Sequence, residues 1–125
     1  MLIALIAYLF LGGGAGTPDL LIELKHMEKS IKQQIEDPAL QVQALETLRS
    51  MKATTKQYAK NHAKTVKAIL KSSKAHDRDL IEIKAILKKS EQDTQRFQKT
   101  ILDYLDTLKR TLNRSQWELI TSEAA

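Results

Sequence analysis

Eight cations recur along one stretch of the chain: Arg49, Lys52, Lys56, Lys60, Lys64, Lys67, Lys71 and Lys74, with no acidic residue between Glu46 and Asp77. On a helix turning about 100° per residue they fall inside an arc of roughly 120°. The chemistry open to such a row is recognition of an anionic surface met side-on. Nucleic-acid phosphates, acidic lipid headgroups and an acidic protein all qualify. Nucleic acid is the poorest fit. The row holds seven Lys to one Arg, whereas base reading favours the planar forks of Arg, Asn and Gln. It also lacks interleaved rings on which bases would stack. Like charges so spaced repel one another, which favours a counter-charge. That counter-charge is either an external partner or acids on neighbouring helices, such as Asp19, Glu23, Glu28 and Glu36.

Other chemistry is not signalled. His26, His62 and His76 have no metal-ligand spacing among them. The chain has no cysteine, which removes disulfides and thiolate sites. Gly12 to Gly16 follow an apolar run and lack the Lys-Ser/Thr ending of a phosphate-binding loop. No carboxylate pair stands out from ordinary helix-surface acids. The expectation is therefore no catalytic residue, no metal, no cofactor and no enzyme.

The elements that would carry the basic row are helical. Of 125 residues, 28% are charged and 5% aromatic, and of six Gly and Pro residues five precede Asp19. With Pro38 the one strong breaker after that point, the fold expected is all-α. Net charge is +5 and the isoelectric point about 9.5. Thr17-Pro18-Asp19 opens a first helix over 17–36, with Leu20, Leu24, Met27, Ile31 and Ile35 as its stripe and Glu28 and Lys32 four apart. Asp37-Pro38 ends that helix and caps a second, over 38–74. The second helix has one face at Leu48, Met51, Thr55, Tyr58, His62, Val66 and Ile69, polar in its middle at Thr55, Tyr58 and His62, residues able to fix the register of helix pairing.

A third helix carries a seam at Leu80, Ile83, Leu87, Phe97, Ile101, Tyr104, Leu108 and Leu112. With Ser90 and Thr94 in its polar slots, the steps alternate three and four, as in a heptad repeat. The seams of the second and third helices fall out of phase across residues 71–79. That offset fits a turn, giving a long antiparallel helical hairpin of coiled-coil type, or one continuous helix with a stutter. Seam burial yields on the order of 12 to 24 kcal/mol gross, against about 30 kcal/mol for ordering the helix. The seam therefore needs a further partner: the first helix, another copy or a foreign protein.

Residues 1–16 begin MLIALIAYLFL and form a segment apart from the helical domain at 17–125. The run is shorter than the roughly 20 residues of a membrane span. It reads as a membrane anchor, as an assembly helix with glycines for close approach, as a secretory signal region without the usual preceding cation, or as an apolar helix buried in the protein's own core.

Near the other end, Leu112-Asn113-Arg114-Ser115-Gln116 opens a short helix, with Asn113 as cap and Gln116 completing a capping box. This segment resembles the L-T-x-x-Q motif of the periplasmic Spy/CpxP-like helical family, with Asn113 where that family has Thr. The resemblance implies an envelope-stress chaperone or sensor with a basic concave surface. Trp117 is expected to cap the apolar end of the hairpin.

The function expected is thus that of a non-enzymatic interaction, scaffold or chaperone-like protein. It would be membrane-tethered or exported, membrane-associated or periplasmic, with its basic face toward an acidic lipid or acidic protein. Self-association is expected as well. The alternatives are a structural subunit of a filament, envelope complex or phage particle packed through residues 1–16, and a nucleic-acid-binding helical protein.

Overall fold

The computed structural model describes residues 17–74 and 80–123. They form four helices: α1 (Thr17–Gln34), α2 (Pro38–Lys74), α3 (Leu80–Thr111) and α4 (Arg114–Glu123). Among the described residues there is no strand, so the protein is all-α. The expectations for residues 1–16 lie outside the described residues, as do residues 75–79 of the expected joint, while residues 71–74 of that joint continue α2.

Local chemistry sets the helix ends. Asp37 Oδ1 accepts from the amides of Ala39 at 2.9 Å and Leu40 at 3.4 Å, capping α2. The Gln41 side chain donates to the carbonyls of Lys32 and Ile35 and so satisfies acceptors at the end of α1. At the other corner the Asn113 amide donates to Gln116 Oε1 at 3.0 Å. The Gln116 amide returns a bond to Asn113 Oδ1 at 2.8 Å. This reciprocal capping box starts α4.

α2 packs on both α1 and α3, and α4 folds back onto α1. Where α2 and α3 touch, Tyr58 meets Thr94 and Phe97, while Ala68 shares a cleft with Ile86. Sequence number therefore rises along one helix as it falls along the other. The core lies at one end of this pair. Leu20, Leu24, Met27 and Ile31 of α1 meet Leu48 and Met51 of α2, Ile101 and Leu108 of α3 and Ile120 of α4, all fully buried. Trp117 packs part-buried against the edge of this core.

Burial stops at the stacked pair Tyr58–Phe97. Beyond Tyr58 the one buried residue described in α2 is Ser72, and before Phe97 α3 has none. The molecule thus has a base, closed by four helices, and an arm made of residues 64–74 of α2 and 80–90 of α3.

The seam expected along α3 is buried at Phe97, Ile101, Leu108 and Leu112, and part-buried at Ile83 and Tyr104. Leu80 and Leu87 stand exposed. A strict seven-residue walk drifts about 20° per heptad on a straight helix. Leu80 lies four heptads before Leu108, so it turns roughly 80° off the buried line. In the arm the half-buried positions are Ile83, Ile86 and Ser90 instead.

Candidate interaction surface

Seven of the eight cations in the α2 row are exposed: Arg49, Lys56, Lys60, Lys64, Lys67, Lys71 and Lys74. Lys52 differs. Its Nζ lies 3.1 Å from Glu28 Oε2 on α1, with its side chain 27% exposed and that of Glu28 18%. Lys32 reaches the other oxygen of Glu28 at 3.4 Å from the same helix. Glu28 is therefore an acid that answers the row from a neighbouring helix, at Lys52. These two ammonium groups hold the Glu28 carboxyl below the usual carboxylate range. The hydrogen bond from Lys52 is the main cause, and partial burial works against it.

The pair joins two basic surfaces. α1 contributes Lys25, Lys29 and Lys32, which line a shallow groove with Ile22, His26 and Lys52. Reading α2 alone missed these α1 cations. Their spacing of four and three residues was the available signal, and Glu28 lay within their reach.

Charge is also polarised along the molecule. Residues 64–90 carry eight cations and three acids, a net +5 that equals the net charge of the whole chain. The base is accordingly balanced and the arm side is cationic. Five large apolar side chains of the arm are exposed as well: Val66, Leu70, Leu80, Ile81 and Leu87.

Between base and arm lies a polar waist. Tyr58 Oη and Thr94 Oγ1 share a hydrogen bond of 2.7 Å across the two helices. The Tyr58 and Phe97 rings stack at 4.1 Å, nearly parallel at 3°. His62 also stacks on Tyr58, at 5.9 Å, and its Nδ1 is buried without a hydrogen-bond partner. An open cleft of about 510 Å³ lies beside these rings, with Asn61, Thr65, Asp93 and Arg96 on its walls. Asp93 and Arg96 pair with each other at 3.8 Å. The cleft assembles no nucleophile with a base and an orienting acid. Among the described residues no group of three His or acidic side chains is placed to hold a metal ion.

Comparison with known proteins gives no match to any family model, curated protein or solved structure. Among the described residues no helix is long and apolar enough to cross a membrane.

Proposed function

We propose that this protein is a non-enzymatic helical interaction module, a long antiparallel hairpin on a compact base, that presents lysines to an anionic partner. The observation that supports this reading is the collection of all net charge in residues 64–90, continued down α2 and across to Lys25, Lys29 and Lys32 of α1. A merely solvated surface would have no need to segregate its charge along one end of the molecule. The reading includes the chaperone-like form that the LTxxQ resemblance implies, since such a surface holds its client by charge.

The test is retention on a soluble polyanion, polyaspartate, as salt is raised. Exchanging Lys56, Lys60 and Lys64 for Glu should abolish most of the affinity and flatten its salt dependence, while helicity by circular dichroism is unchanged. Equal retention of the variant and the parent would refute the reading.

A further inference from the structure

Building on the anionic-partner reading, we propose that the arm docks on the surface of an anionic lipid bilayer, with its apolar flank down and lysines along both edges. Five helical turns take about eighteen residues. Val66 therefore stands at the same azimuth as Leu48, Leu70 at that of Lys52, and Leu87 at that of Leu105. In the base this flank is covered: Leu48 is fully buried, Lys52 meets Glu28 of α1, and Leu105 packs against the core. In the arm the same flank is open, with Val66 43%, Leu70 54%, Leu80 67% and Leu87 51% exposed. The described chain enters where the cover ends. Counting up both helices from the Glu28–Lys52 pair sets Thr17 opposite Ala63.

The edges of the open flank are cationic. Lys67 and Lys74 border it on α2, and Lys84 and Lys88 on α3, all exposed. Among the described residues Glu91 is the one acid at the α3 edge, at the end nearest the base. An apolar strip with basic margins suits the headgroup boundary of an acidic bilayer, where lysine stems lie along the apolar surface and their ammonium groups reach the phosphates. Charge complementarity decides against other occupants. A second arm would bring like-charged margins together. The chain's own residues 1–11 are uncharged in their side chains and would leave the lysines unanswered. A nucleic acid would meet the margins and find no use for the leucines between them.

The absence of cysteine allows a single environment-sensitive dye to be placed on the full chain. Leu87→Cys puts it on the flank, and Leu102→Cys on an exposed position of the base. With equimolar phosphatidylcholine and phosphatidylglycerol vesicles, the dye at position 87 should shift to the blue and the dye at 102 should not. Pure phosphatidylcholine should leave both unshifted. Exchanging Lys67, Lys74 and Lys84 for Gln should weaken vesicle binding about a hundredfold, near fivefold per lysine. A silent dye at 87 on a chain that still sediments with vesicles would overturn the proposal. So would a dye already shifted without lipid, whether in a monomer whose own residues 1–11 cover the flank or in a dimer. Retention on polyaspartate without vesicle binding would overturn the lipid assignment alone, and loss of both would overturn the anionic-partner reading with it.

Discussion

Glu28 is the residue on which the two basic surfaces depend. It accepts from Lys52 and Lys32 at once, and its carboxyl is held below the ordinary range mainly by the Lys52 hydrogen bond. A carboxyl depressed in the folded state stabilises the fold above its unfolded value, about 4.3. That contribution is lost as pH falls from there through the folded value. Glu28→Gln should therefore cost about 1 kcal/mol at neutral pH, a magnitude ordinary for a part-exposed pair. Thermal melts should show the gap between variant and parent closing as pH falls from about 4.3 through the folded value. A gap constant across that range would mean that Glu28 acts by packing alone. Tyr58 makes a second test at this scale. Tyr58→Phe keeps the stack on Phe97 and removes the bond to Thr94, leaving that half-buried hydroxyl unanswered. A loss of about 1 kcal/mol in urea unfolding is expected, and it should vanish in the Thr94→Val background if the bond is its cause.

At the scale of elements, α4 is ten residues long and too short to persist by itself. Its capping box and its contact with α1 hold it. Asn113→Ala should cost about 1 kcal/mol and raise hydrogen exchange in α4 before any change reaches α2. The pieces legible from the sequence are of this local kind. Asp37 with Pro38, Asn113 with Gln116, and Glu28 with Lys32 all act within about one turn, so spacing alone identifies the partners. Contacts between helices were less accessible. Thr94 fills a polar slot of the seam, yet nothing in its spacing names Tyr58 as its partner. Lys52 looks like one of eight equivalent cations until α1 is laid beside it. Leu80 and Leu87 keep the heptad count and still leave the buried line, because a small angular error per repeat accumulates with distance from the core. Of the interaction surface, the α2 row was legible as a row. Its widening onto α1, and the open flank beside it, required the relative placement of helices.

At the scale of the whole molecule, the base and the arm obey different energetics. The base buries apolar side chains from all four helices, whereas the described arm residues pair two helices with no third to cover them. Stability should accordingly be concentrated at one end. Leu48 and Leu87 make the comparison direct, since both are leucines inside long helices and differ in cover. Leu48→Ala should cost about 3 kcal/mol, within the range for truncating a fully buried leucine. Leu87→Gln should change global stability by no more than about 0.5 kcal/mol, as at an ordinary surface site. Native-state hydrogen exchange should show the same gradient, with amides near Met51 and Ile101 opening through global unfolding and those near Ala68 and Ile86 opening locally at lower free energy. Equal protection along α2 would mean that the arm is covered in solution. A substantial loss of stability from Leu87→Gln would carry the same meaning. An arm whose described residues pair just two helices rearranges on a surface at little free-energy cost, so weak protection there and a cationic, apolar flank belong to one physical design.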